Sequence, residues 1–201
     1  MNFHDPALKN HSAIVLHCSA TKPSMDIGVK EIKSWHVNPP RSWSDIGYHL
    51  VIRRDGSLEK GRDWDRQGAH AGGFNRNPKD GKLTFGICLV GGVADHDVNV
   101  VEDNFTDEQW STLNRILKEI VDYTGIKEIV GHNQLSNHAS RGCPSFNSKA
   151  YVDWLLKSIK SLHLPSDWYD HSKYNWHDTD PQAWNLPVSF MDEVDTGGTI
   201  D

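Results

Sequence analysis

Two apolar runs constrain this chain more than any other feature. Residues 13–18 (AIVLHC) and 83–90 (LTFGICLV) are short and almost uninterrupted in apolar side chains, the pattern of strands buried in a sheet. Tyr48–Arg53 alternates in strand fashion, and Asp55-Gly56 is a turn signal leading into a second strand at Ser57–Lys60. Gly28–Val37 carries Val29, Ile32 and Trp35 at helical spacing and stops at Pro39-Pro40. Thr106, with Gln109 in the capping-box position, opens a helical pattern that runs through Tyr123 and closes at Gly125. Ile126–Val130 forms a last short strand, and residues 148–162 form a helix with Tyr151, Leu155, Ile159 and Leu162 on one face. Strands and helices mix without strict βαβ alternation. The expected fold is therefore α/β, a mixed central β-sheet flanked by about three helices. Segment 61–81, rich in Gly, Asn and Pro, is expected to be a long surface loop.

The 201 residues suffice for one well-buried core and a short appendage. Pro165 marks the boundary, giving a domain at 1–162 and a C-terminal extension at 163–201. The extension holds eight acidic side chains and one basic one, a net of −7, and leaves about +1 of the chain's −6 on the first 162 residues. Such a segment repels phosphates, so nucleic acid is not an expected partner. Its density of Trp and Tyr is unlike a disordered tail, and packing onto the domain is the expected arrangement. No run of 18 apolar residues exists, so no membrane-spanning helix is expected. The start, MNFHDPALKN, lacks an apolar signal core, which points to the cytoplasm. Cys18, Cys88 and Cys143 are too few and too scattered for a disulfide framework.

Twelve histidines exceed what a core needs. His17 ends a buried strand, where the sheet edge holds a side chain rigidly. His132 follows the strand at 126–130 in an equivalent place. Cys143 lies in RGCPSF, beside an arginine that favours thiolate. Two imidazoles and a thiolate are a known catalytic zinc set that leaves a fourth tetrahedral position for water. Spacing alone does not separate this set from three structural residues.

Five motifs add to that reading: HCSATKPS (17–24), GYHLVIRRDG (47–56), GRDWDRQGAHAGGFN (61–75), GICLVGG (86–92) and CPSF (143–146). Together they resemble the type 2 N-acetylmuramoyl-L-alanine amidases, the fold shared by peptidoglycan recognition proteins, and within that family the small amidase lysozymes of T-odd coliphages. The likeness covers about residues 11–160, and the extension has no counterpart in it. It implies zinc (Zn2+) held by His17, His132 and Cys143, with Tyr48 beside the metal-bound water. It places Arg141 where short phage members carry a lysine, and His70 and Asn75 in the lining of the substrate groove. It implies a monomeric endolysin acting on peptidoglycan, with phage RNA polymerase as a further candidate partner. A non-catalytic wall-binding module is the alternative, and the intact zinc cysteine speaks against it. Arginine keeps the lysine's charge but cannot donate a proton. The interval from His132 to Cys143 is about three residues longer than in the short phage members and contains His138, a rival ligand.

The remaining candidates have plainer readings. Cys18 and Cys88 are read as inert core residues, and His49 as structural or as a support behind the site residues. Trp35, Trp110 and Trp154 are read as core, Trp43 or Trp64 as possible sugar platforms. His36 is divided between groove and surface, while His4, His11 and His96 are read as surface residues.

Overall fold

The computed structural model describes residues 1–136 and 142–160; His138, Arg141 and the 163–201 extension lie outside them. A 3-10 turn at Pro6–Asn10 leads into β1 (His11–Cys18). There follow α1 (Val29–Val37), β2 (Leu50–Ile52), β3 (Leu58–Lys60), β4 (Leu83–Leu89), α2 (Asp107–Thr124), β5 (Glu128–Gly131), a 3-10 turn at His132–Gln134, and α3 (Ser148–Lys160). The sheet runs in the order β3-β2-β4-β1-β5. β1 pairs parallel with β4 and β5, and β2 parallel with β4, whereas edge strand β3 is antiparallel to β2. This is the mixed sheet with three helices that the sequence predicts.

Alternate residues of the strands build two cores. Ile14, Leu16, Leu50, Ile52, Phe85, Ile87 and Leu89 pack with α2 through Trp110, Leu113, Ile116 and Leu117, and with α3 through Tyr151, Val152 and Leu155. Val51, Cys88 and Val90 face the other way and pack with Ile27, Ile46 and Ile32 of α1. The two central strands are covered on both faces, which is why their sequences are continuously apolar rather than alternating. The cap of α2 is the one its sequence announces. Thr106 Oγ1 accepts from Gln109 N–H at 3.2 Å, Gln109 Oε1 accepts from Thr106 N–H at 3.1 Å, and Gly125 ends the helix at φ 74°.

Segment 61–81 departs in part from expectation. It is irregular in backbone as expected but only in part a surface loop, because Arg62, Trp64, Ala69, His70, Ala71, Asn75 and Asn77 are buried while Asp63, Asp65, Arg66 and residues 78–81 are exposed. An irregular segment can be buried when its polar groups find partners inside. Here Arg62 N–H donates to Tyr48 O at 2.9 Å, and Ala69 N–H to Gly47 O at 3.0 Å. The Arg62 guanidinium donates to the carbonyls of Ile46 and Gln67 at 2.7 and 2.8 Å. Trp64 is accordingly no sugar platform: it stacks on Phe3 with ring centroids 5.5 Å apart. Trp43 is half-buried and lies 4.7 Å from the His36 ring.

Three further readings change. Trp35 is 40 % exposed: α1 buries Ile32 and His36 and packs Val29 against the same core, so of the predicted stripe only Trp35 is left outside. His36 is buried because its Nδ1 accepts the Gly47 N–H at 3.0 Å, which turns that side of the helix inward. His11 is buried too, edge-on to the Phe85 and His49 rings at 5.1 and 5.3 Å. Among the described residues, no helix is long and apolar enough to cross a membrane.

Candidate metal centre

The parallel register brings the first two site residues together. Leu16 of β1 pairs with Gly131 of β5, so the residues that follow, His17 on β1 and His132 at the start of the 3-10 turn, emerge at the same carboxyl edge of the sheet. Their ring centroids are 4.5 Å apart. In α/β sheets this carboxyl edge is where ligands bind.

Cys143 reaches the edge by a backbone clip. Asn133 N–H donates to Cys143 O at 3.0 Å, tying the 3-10 turn to the cysteine loop. Gln134 Oε1 accepts from both Gly131 N–H (2.7 Å) and Ser148 Oγ (2.9 Å), which fastens the turn to the start of α3. Cys143 Sγ then lies 3.7 Å from His17 Nδ1 and accepts the Cys18 backbone N–H at 3.3 Å. Among the described residues, His17, His132 and Cys143 are the group whose donor atoms could hold one metal ion, all within 4.8 Å of one another.

The donor set fits zinc in kind: two nitrogens, one sulfur, and three protein ligands rather than four. The surroundings fit as well. Burial pushes the Cys143 thiol well above its ordinary pKa, with neighbouring Cys18 acting in the same direction. A cation at this point reverses that balance, and the Cys18 N–H is aimed at the sulfur that would carry the charge. Two neutral imidazoles and one thiolate would leave a zinc ion held there with net charge +1.

Tyr48 stands beside the group, its ring 5.1 Å from that of His17 and 5.5 Å from that of His36. Burial, reinforced by the thiols of Cys88, Cys143 and Cys18, raises its hydroxyl well above the ordinary phenol range, so it stays a neutral donor. His49 faces away from Tyr48. It stacks on Phe85 at 4.7 Å, accepts Gly86 N–H at 2.9 Å through Nδ1, and meets Arg66 O at 3.0 Å through Nε2, a structural role as read.

His70 and Asn75 are both buried. His70 is 7 % exposed, and its two ring nitrogens contact His17 Nε2 at 3.0 Å and Thr84 O at 3.2 Å. Desolvation holds its pKa down at about 3. Asn75 Oδ1 accepts the backbone N–H groups of both His70 and Ala71 at 2.9 Å. Arg141 and the rival ligand His138 fall outside the described residues.

Sequence reasoning missed the part played by Cys18. The acting group is its main chain, and no residue pattern signals that. Its thiol is buried as expected, 3.2 Å from Ser145 Oγ.

Comparison with known proteins agrees with this geometry. The model of the N-acetylmuramoyl-L-alanine amidase family matches residues 7–146. The endolysin of Enterobacteria phage K11 is 43 % identical over 141 residues, covering 70 % of this chain and 85 % of its own. The endolysin of Escherichia phage T7 is 40 % identical over 139 residues, 69 % of this chain and 83 % of its own. Among solved structures, the endolysin amidase LysCS from Clostridium intestinale superposes with a TM-score of 0.51 at 25 % identity, over 72 % of this chain and 82 % of that one. A match spanning both sheet-edge histidines and the cysteine loop, on a sheet that brings them together, leaves one assignment: the chain belongs to the N-acetylmuramoyl-L-alanine amidase family.

Proposed function

We propose that this chain is a zinc-dependent phage endolysin that hydrolyses the peptidoglycan amide between N-acetylmuramic acid and L-alanine. The observation that carries the proposal is the convergence of His17, His132 and Cys143 donor atoms within 4.8 Å at the carboxyl edge of the sheet, next to Tyr48. Membership of an amidase family and likeness to named endolysins support the reaction and the setting.

Zinc held by His17, His132 and Cys143 would supply Lewis acidity toward the scissile carbonyl and would activate water near neutral pH. The chain's own residues do the rest. His17 and His132 are fixed by strand ends, so substrate meets a rigid edge. Tyr48, kept neutral by burial, donates a hydrogen bond that orients the nucleophile or the attacked oxygen. Arg141, two residues before Cys143 in sequence, is proposed as the fixed cation that stabilises the tetrahedral oxyanion. Arginine does not release a proton to the leaving amine, so no acid role falls to it.

The test is metal analysis combined with digestion of purified sacculi by wild type and Cys143→Ala. The wild type is expected to hold one zinc and release new N-terminal alanine. The variant is expected to lose the metal and about 10³-fold or more of the rate, the scale of several kcal/mol of lost charge stabilisation. Full activity in metal-free Cys143→Ala overturns the zinc reading. New reducing sugar ends in place of new alanine overturn the amidase bond.

A further inference from the structure

Two imidazoles and a main-chain carbonyl form a hydrogen-bonded row directly behind the candidate metal centre. A ligating histidine needs its other ring nitrogen held, because that bond fixes both the tautomer and the plane of the ring. His17 presents Nδ1 to Cys143 Sγ at 3.7 Å and Nε2 to His70 Nδ1 at 3.0 Å. His70 in turn presents Nε2 to the Thr84 carbonyl at 3.2 Å. A carbonyl only accepts, so His70 Nε2 carries a proton and donates it. In the neutral ring, His70 Nδ1 is then a lone pair and accepts from His17 Nε2–H. That leaves the His17 Nδ1 lone pair facing the position between the three donors. The direction of the whole chain is set by one main-chain carbonyl on β4.

The protein also builds a slot for this ring. A Cβ on Gly68 would lie 2.4 Å from His70 Cδ2, and a Cβ on Gly86 would lie 2.5 Å from it. Both positions therefore require glycine for close approach, one from the 61–81 segment and one from β4. Asn75 fixes the slot's backbone by accepting the N–H groups of His70 and Ala71. Since both His70 ring nitrogens are taken up inside the protein, the ring is committed to His17 rather than to substrate.

We infer that His70 is a positioning residue: relaying the Thr84 carbonyl, it holds His17 as the Nε2–H tautomer with Nδ1 aimed at the metal position. This rests on the reading of His17, His132 and Cys143 as zinc ligands. The Asn75–Gly68–Gly86 frame serves that ring, which gives the GAHAGGFN motif a role beneath the active site.

Three measurements test it. Long-range 1H–15N spectra of the metal-free wild type are expected to show His17 as the neutral Nε2–H tautomer; a Nδ1–H tautomer overturns the inference. Zinc affinity, measured by competition with a chelating dye, is expected to fall 10–100-fold in His70→Leu, the range for losing such an outer partner. It is expected to return to within a few-fold of wild type in His70→Asn, whose Oδ1 replaces the Nδ1 acceptor. Equal zinc affinity in wild type, His70→Leu and His70→Asn overturns the inference. If His70→Leu does not fold, the wild-type spectrum and His70→Asn decide, and loss of zinc affinity in a folded His70→Asn counts against the relay. A wild type that takes up no zinc overturns the metal reading instead, while the tautomer, read on metal-free protein, still decides on His70.

Discussion

At the scale of single residues, type and motif carried a great deal. Residue type and placement offer His17, His132 and Cys143 as candidates, but the family resemblance, not their spacing, is what singles them out as a set. Their convergence is not legible, since it depends on the Leu16–Gly131 register and on a main-chain bond from Asn133 to Cys143. His70 shows the same limit from the other side. Its motif marks it as important, but only the Thr84 carbonyl and the His17 ring define what it touches. Tyr48 offers a clean single-residue prediction. Removing one preorganised donor from an acyl-transfer site costs about 10²–10³ in kcat. Tyr48→Phe is therefore expected to slow sacculus digestion by about 10²-fold with zinc content unchanged. An unaltered rate would remove Tyr48 from the chemistry.

At the scale of elements, boundaries followed the sequence where caps and apolar runs speak for themselves. The reciprocal Thr106–Gln109 bonds and Gly125 frame α2 as read. Of the α1 stripe only Trp35 was misassigned, because it and His36 compete for the inward face and a hydrogen bond from Gly47 N–H decides for histidine. Segment 61–81 is irregular as read, but its buried part was missed for a related reason: composition reports flexibility, whereas burial depends on which carbonyls and N–H groups find partners. Asn75 is the clearest of these partners. Asn75→Ala leaves two backbone N–H groups without their acceptor and is expected to cost about 2 kcal/mol in urea unfolding at constant m value. Asn75→Asp, which keeps an acceptor, should lose less. Had Asn75 lined the groove instead, the Ala variant would show a higher KM at wild-type stability.

At the scale of the whole molecule, the formal charge is a poor guide to acid response. All of the net negative charge belongs to residues 163–201, which carry −7 against about +1 on the first 162 residues. Buried histidines are the stronger lever. Burial lowers His11 and His36 from 6.5 to about 4, His36 with added repulsion from Arg41 and Arg62, and His49 shifts the same way. The unfolded chain takes up protons as pH falls through 6.5, while the folded chain takes up none at these sites until about pH 4. Stability is thus fully present above 6.5 and declines through that window, by up to about 1.4 kcal/mol per pH unit for each histidine. The depressed carboxylates Asp45, Asp55 and Asp97 act at lower pH, so their contribution falls below the window. Urea midpoints between pH 7.5 and 4.5 should therefore drop steeply in wild type. They should drop less in a His11→Phe, His36→Asn double variant, where Phe continues the Phe85 contact and Asn keeps the acceptor for Gly47. What matters is the slope, because both substitutions also shift absolute stability; a double variant with the wild-type slope would place the acid sensitivity elsewhere.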